Sequence, residues 1–297
     1  MKGGRRIGIV GVGNMGGRIS RRLLDAGRSL TAFDVDAVKL HAVSVPAAPS
    51  LAALLRESDV LLLSLPDSSV VEAVVQGEGG VAASCRAGQI VVDLSTAAPS
   101  SSVALHDRLL EQGVEFLDVG VSGGASAAEQ GTLTLMAGGS ADALEQVRPE
   151  LECFSASIHH MGPSGAGHTA KVLNNFLNGV SLAATAEVMV AARASGLDLA
   201  QLLEVFNTSS GVNFATLNRF PHVVEGDYLE GGLTTDLMAK DVMLYVALTQ
   251  ELGVPTLNAA GCLATFQVAS ALGYGGEISN RVVDALGDLA GGIRLQR

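Results

Sequence analysis

Arg6-Ile-Gly-Ile-Val10-Gly11-Val-Gly13-Asn14-Met15-Gly16 is the stretch on which the fold turns. Residues 6–10 are a short apolar run of the kind buried in parallel sheets. The glycine turn at 11–16 opens a helix to about Ala26, which stops at Gly27. A second strand, Leu30 to Phe33, ends in Asp34. Strand, glycine turn, helix, strand and acid together make a dinucleotide-binding fingerprint in full context. Gly11 permits the tight turn, Gly13 lets backbone approach a pyrophosphate, and Gly16 lets the helix pack close. Asn14 and Met15 occupy the first turn, where free N–H groups and the positive dipole end face the phosphates. Asp34 can accept from both ribose hydroxyls and would repel a 2′-phosphate, and no Arg follows it closely. NAD is therefore the expected cofactor, with NADP as the alternative.

The alternation of strand and helix continues outward. A strand from Val60 ends in Ser64-Leu65-Pro66, a helix follows near 69–76, and the strand 89–94 ends in Ser95-Thr96. A helix is expected over 98–112. Ligands of open α/β sheets lie beyond the carboxyl ends of the strands, so Leu65, Pro66 and Thr96 are candidate cofactor neighbours; the alternative is ordinary loop punctuation. The strand 115–119 leads to Ser122-Gly123-Gly124, a hydroxyl followed by unshielded backbone N–H groups. Such a nest suits a carboxylate, although the same residues also make a plain flexible turn. A further strand over 132–138 exits through its own glycines.

Beyond Met161 only helical periodicity remains. Helices are expected over 166–194, 198–208, 213–220, 233–252, 256–272 and 280–290, with a boundary near 162–165. The fold class is therefore α/β: an N-terminal Rossmann dinucleotide-binding domain (1–163), then an all-α C-terminal domain for substrate and oligomerisation (164–297). A long interdomain helix joins them. On that helix Lys171, Asn175 and Asn178 fall at i, i+4 and i+7, in one stripe amid apolar residues, with Asn174 at its edge. Buried Lys and Asn need partners, because an unpaired buried polar group costs on the order of a few kcal/mol. The bland reading puts the Lys171 ammonium in water and the Asn side chains on neighbouring loops. Lys240, in Met238-Ala-Lys240-Asp241, has a similar bland reading as a surface ammonium paired to an acid.

The 297-residue chain is 48% hydrophobic and 16% charged, which gives material for two packed domains and excludes disorder. A net charge of −11 with scattered Lys and Arg offers no face for a phosphate backbone, so nucleic acid is not an expected partner. Cys85, Cys153 and Cys262 are odd in number and far apart, which points to buried thiols in a reducing compartment and to no metal. The opening Met1-Lys-Gly-Gly-Arg-Arg6 faintly mimics a signal peptide, but glycines break the apolar run that follows. No apolar run approaches the length of a bilayer span. A cytoplasmic protein without membrane association is expected.

Four pieces in order, Gly11–Gly16, Ser122-Gly-Gly, Gly165-Ala-Gly-His-Thr-Ala-Lys171-Val-Leu-Asn174-Asn175 and Lys240-Asp241, resemble the β-hydroxyacid dehydrogenases. This is the family of 3-hydroxyisobutyrate dehydrogenase, tartronate semialdehyde reductase and 6-phosphogluconate dehydrogenase, and the resemblance covers essentially the whole chain. It implies an NAD-dependent oxidoreductase acting on a small 3-hydroxy acid. By the same resemblance Lys171 is the general acid/base and Asn175 orients the substrate. Ser122, Gly123 and Gly124 hold its carboxylate, and Lys240 lies near both nicotinamide and substrate. Phe214 would wall the substrate's apolar side, unless it is a core residue. A homodimer or homotetramer is also implied.

Some residues depart from one branch of the family. Gly120 stands where the hydroxyisobutyrate branch has Pro, and His168 and Asp118-Val-Gly-Val-Ser follow the phosphogluconate wording. Asn174-Asn175 follows the hydroxyisobutyrate one. Tartronate semialdehyde reductase and a decarboxylating sugar-acid dehydrogenase are therefore alternatives. An imine reductase would normally lack Lys171. A non-catalytic NAD-binding sensor is the reading from a different class.

Overall fold

The computed structural model describes residues 4–296; the basic start at Met1–Gly3 and the final Arg297 lie outside them. The chain divides into two compact units, residues 1–171 and 172–297. In the first unit, strands β1 (Ile7–Val10), β2 (Leu30–Phe33), β3 (Val60–Leu63), β4 (Ile90–Asp93), β5 (Glu115–Ser122), β6 (Leu133–Gly138) and β7 (Ser155–Gly162) form one sheet. Its order is β2-β1-β3-β4-β5-β6-β7. All neighbouring pairs are parallel except β5 with β6, where the chain reverses through the glycines after Ser122.

Helices α1 (Asn14–Asp25), α2 (Ala37–Val43), α3 (Leu51–Glu57), α4 (Ser68–Gln76), α5 (Val81–Ser84), α6 (Pro99–Leu110), α7 (Gly124–Gln130) and α8 (Ala141–Leu151) connect the strands. The strand period of two sends Ile7, Ile9, Leu62 and Val92 to one apolar layer. Val10, Leu61, Leu63 and Val91 go to the other. β1, β3 and β4 are buried at every position, as a sheet covered on both faces requires. This is a doubly wound Rossmann unit. Its order reverses beside β1, so the crevice for a ligand opens at the carboxyl ends of β1 and β3.

Helix α9 (Ala166–Ala194) is 29 residues long and runs through the division between the units. It is followed by α10 (Leu199–Asn207), α11 (Phe214–Asn218), α12 (Phe220–Val223), α13 (Thr235–Glu251), α14 (Ala259–Ala269) and α15 (Val282–Leu289). These helices share one core, built on Leu182, Met189, Phe220, Met238 and Phe266. The helix expected over 213–220 is two short ones, with Arg219 between them and Pro221 in the first turn of α12. The expected 256–272 helix stops at Ala269 in a π turn containing Gly273 at φ 99°. No helix of the described residues is long and apolar enough to cross a membrane.

Candidate active site

The glycine turn is built as its spacing predicts. Gly11 has φ +88°, and a Cβ there would lie 2.3 Å from the Ser64 carbonyl oxygen at the end of β3. A Cβ on Gly16 would lie 2.0 Å from the Gly11 carbonyl oxygen, so both positions exclude a side chain. Gly13 is different: a Cβ there would meet nothing within 4 Å. That glycine keeps open a space that the chain itself does not fill. Gly13 is also the N-cap of α1 and gives no side-chain hydrogen bond to it. A helix N-terminus that opens at an unfilled glycine suits a pyrophosphate, so the residues present fit a dinucleotide. Asn14 is exposed in that first turn, and Met15 packs against the core.

Asp34 closes β2 as expected, but its carboxylate is already in use. Oδ2 accepts from the Val12 N–H at 2.8 Å and Oδ1 from the Asp36 N–H at 2.9 Å. Each oxygen keeps a lone pair, so acceptor capacity toward a ribose remains. Asp36 caps α2 through the Val38 N–H at 2.9 Å, which adds a second negative charge two residues on. Leu65 is next to Gly11, and its N–H donates to Ser95 Oγ at 3.0 Å. Leu65, Pro66 and Thr96 thus follow β3 and β4 at the sheet edge that carries the glycine turn.

Ser122 ends β5, and the chain then turns through Gly123 at φ 125° and Gly124 at φ 72°. A Cβ on Gly123 would lie 2.6 Å from Ala127 Cβ, so this turn needs glycine, whereas Gly124 is open. Ser122 is half-buried and both glycines are exposed.

The start of α9 is fixed to the sheet by groups that the sequence did not mark as functional. Asp118, buried in the middle of β5, accepts from the Gly165 N–H at 2.7 Å and from the His168 N–H at 2.8 Å. A carboxylate from a strand therefore satisfies donors that the first helical turn leaves unpaired. His168 Nδ1 is 2.7 Å from Ser102 Oγ on α6, and the ring is fully buried. Asp93, equally buried, accepts from the Ser95 N–H at 3.0 Å, and burial pushes its carboxyl above the ordinary range. One helical turn after the anchor comes Lys171, 9% exposed. Its Cβ lies 2.5 Å from where a Cβ on Gly120 would be. The departure at position 120 thus has a steric reason: here only glycine lets α9 come this near β5.

In the helical unit, Asn175 Nδ2 donates to Asp241 Oδ2 at 2.5 Å, and both side chains are buried. Lys240 Nζ is 3.2 Å from Asp241 Oδ1, so α13 presents an ion pair that also holds the α9 asparagine. The Phe176 and Tyr245 rings stack at 3.6 Å beside it. Phe214 is not a core residue; it is 57% exposed. Of the three cysteines expected to be buried, only Cys262 is, and burial pushes its thiol up to about 11. Cys85 and Cys153 are half-buried because they sit at helix ends near the surface. Among the described residues, no three His, Cys, Asp or Glu are grouped to hold a metal.

An open glycine cradle at the switch point of a doubly wound sheet, followed by an all-helical unit, defines a dinucleotide-binding protein of two-part build. A family model described as the NAD binding domain of 6-phosphogluconate dehydrogenase matches residues 6–162. Another, described as NAD-binding of NADP-dependent 3-hydroxyisobutyrate dehydrogenase, matches residues 165–286. The chain is 33% identical over 289 residues to 2-(hydroxymethyl)glutarate dehydrogenase of Eubacterium barkeri, covering 96% of each chain. It is 38% identical over 280 residues to the NAD-dependent L-serine dehydrogenase of Pseudomonas aeruginosa, covering 91% of this chain and 94% of that protein. The solved 3-hydroxyisobutyrate dehydrogenase of Mycobacterium tuberculosis with L-serine superposes with a TM-score of 0.85 at 28% identity, over 95% of this chain and 99% of that one. The chain belongs to the β-hydroxyacid dehydrogenase family.

Proposed function

We propose that the protein oxidises the primary alcohol of a small 2-substituted 3-hydroxypropanoate, or reduces the corresponding semialdehyde, with Lys171 as general acid/base. The compounds in the names of three relatives, 2-(hydroxymethyl)glutarate, L-serine and 3-hydroxyisobutyrate, share this hydroxymethyl group beside a carboxylate-bearing carbon. They differ in the group on that carbon. The observation that carries the proposal is Lys171 itself: a nearly buried lysine on a helix whose first turn is clamped by Asp118 and Gly167. Such an amine is pre-positioned, and a fixed base is what proton transfer needs.

In oxidation the alcohol loses its O–H and C–H hydrogens and gains a carbonyl. Bound NAD supplies the two-electron acceptor for this chemistry, at the glycine turn 11–16 with Asp34 at its ribose. Lys171 Nζ takes the hydroxyl proton and returns it in the reverse direction. Asn175, fixed by Asp241, orients the hydroxyl. The Ser122 hydroxyl and the Gly123 and Gly124 N–H groups bind the carboxylate beside it. Lys240 adds positive charge toward the same anion, and Phe214 contributes apolar surface.

The test is NADH formation by wild type and Lys171→Ala across 3-hydroxyisobutyrate, L-serine, 2-(hydroxymethyl)glutarate, glycerate and 6-phosphogluconate. Oxidation of short acids, with turnover reduced by at least about 100-fold in the variant and NADH affinity retained, is expected. Wild-type turnover in Lys171→Ala would remove the lysine from the mechanism. Release of CO2 would instead identify a decarboxylating dehydrogenase.

A further inference from the structure

Arg219 stands between α11 and α12 and is half-buried. One amino group (Nη1) donates to Asn280 Oδ1 at 2.8 Å, and the other (Nη2) donates to Asn178 Oδ1 at 3.0 Å. The Phe214 ring lies 5.7 Å from Cζ. Among the described residues no carboxylate pairs with it, in a chain that carries 30 Asp and Glu and a net charge of −11. Arg193 of this unit bonds, among the described residues, only the Gln296 carbonyl at 3.2 Å, whereas two others find acids. Arg281 meets Glu230, Glu277 and Asp284, and Arg294 meets Asp284 and Asp288. Buried charges are otherwise found paired, because two neutral amides only partly replace the lost hydration. Burial alone pushes the Arg219 guanidinium down to about 10, so it is still a cation at neutral pH.

The geometry around it is fixed in advance. Asn280 Nδ2 donates to the Tyr228 carbonyl at 2.8 Å, which sets the oxygen that holds Arg219. Asn178 follows Asn175 by three residues and Lys171 by seven on α9, so all three lie in one stripe of a single helix. The amides take two of the five guanidinium donors, so three N–H groups remain for an anion.

We propose that Arg219 is the counter-charge for a second carboxylate on the substrate. The inference rests on the reading of the chain as a 3-hydroxy acid dehydrogenase and narrows its substrates to hydroxy dicarboxylic acids. One cation suits a carboxylate monoanion, whereas a phosphate dianion calls for more positive charge than a lone guanidinium provides. Such an acid completes a charge pair that the folded chain leaves half made. A substrate without it leaves the guanidinium unpaired, and that is the source of discrimination.

The experiment compares wild type, Arg219→Gln and Arg219→Lys. The substrates are 2-(hydroxymethyl)glutarate, its twin with the distal carboxylate replaced by a primary amide, and 6-phosphogluconate. Calorimetric titration of glutarate in the presence of NADH reads binding without turnover. Wild type should prefer the diacid over the amide by about 10- to 100-fold in kcat/KM, chiefly through KM. In Arg219→Gln this ratio should fall to within about threefold of unity and glutarate binding should be lost, while Arg219→Lys retains part of both. Equal use of diacid and amide by wild type overturns the inference, as does a ratio unchanged in Arg219→Gln or a preference for 6-phosphogluconate. Should Arg219→Gln fail to fold, the wild-type ratio and the lysine variant still decide. Arg219-dependent binding of glutarate without oxidation of any hydroxy acid would refute the dehydrogenase reading and leave the anion site standing. Oxidation without discrimination by charge would do the reverse.

Discussion

Gly120 sets how near the lysine can come to the sheet. A Cβ there would lie 2.5 Å from Lys171 Cβ and 3.1 Å from the Gly167 carbonyl oxygen. Gly167 cannot yield, because its own Cβ would lie 2.1 Å from the Asp118 carbonyl and 2.5 Å from that of Met136. Gly120→Ala should therefore shift the lysine by a fraction of an ångström to an ångström. A misplacement of about 1 Å costs on the order of 100-fold in rate. The glycine cradle lies on other strands, so NADH affinity, read by fluorescence titration, should stay within about threefold of wild type. Unchanged kcat would mean that the helix start accommodates the methyl group. At this scale the sequence was legible where a residue's type conflicts with its local surroundings, as Lys171 and Asn175 do on an apolar helix. Asp93 and Ser102 gave no such signal, since a polar residue at a strand end or helix start also reads as punctuation, and Asp118 lay near the end of the shorter strand expected over 115–119. Arg219 was illegible for a stronger reason: that a cation lacks an acid is a property of the folded chain, invisible in any window of sequence.

Asp118 acts on a whole element, α9. Its two oxygens hold the Gly165 and His168 N–H groups, as an N-cap side chain would, but from a strand about 50 residues away (47 and 50). Asp118→Asn keeps the shape and gives up the charge and one acceptor, so one buried N–H loses its partner. A cost of about 1–2 kcal/mol is expected. That corresponds to a fall of about 2–6 °C in the unfolding temperature, read by calorimetry. An unchanged temperature would show that α9 is started by other contacts. The element itself was readable end to end, because no proline falls between Ala166 and Ala194 and Gly196 follows with φ +75°. The same logic failed at 213–220, where Asn213 caps α11 and a new helix begins one residue before Pro221. It also missed β7, whose sequence Ser-Ala-Ser-Ile-His-His-Met-Gly is largely exposed, since an edge strand buries too little to show a pattern.

For the molecule as a whole, charge and cofactor choice meet at the end of β2. Asp34 and Asp36 lie just past the end of the second strand, in a chain of net charge −11. A 2′-phosphate would bring about two further negative charges toward that pair, with no Arg among Val35, Ala37 and Val38 to receive them. Ligand binding to the folded state alone stabilises it by about 2.7 kcal/mol at 100 times the dissociation constant. For a protein of this size that raises the unfolding temperature by about 5–10 °C. NADH should produce this rise, and NADPH at equal concentration should produce less than half of it. Raising the salt concentration should narrow the difference, because screening weakens repulsion between exposed charges. Asp34→Ala should narrow it further, by weakening NADH and relieving NADPH together. If NADPH stabilises the wild type as well as NADH does, the carboxylate is spent on Val12 and Asp36 and takes no part in cofactor choice. The hydrogen bonds at 2.8 and 2.9 Å make that outcome a physical alternative, and the paired titration separates the two.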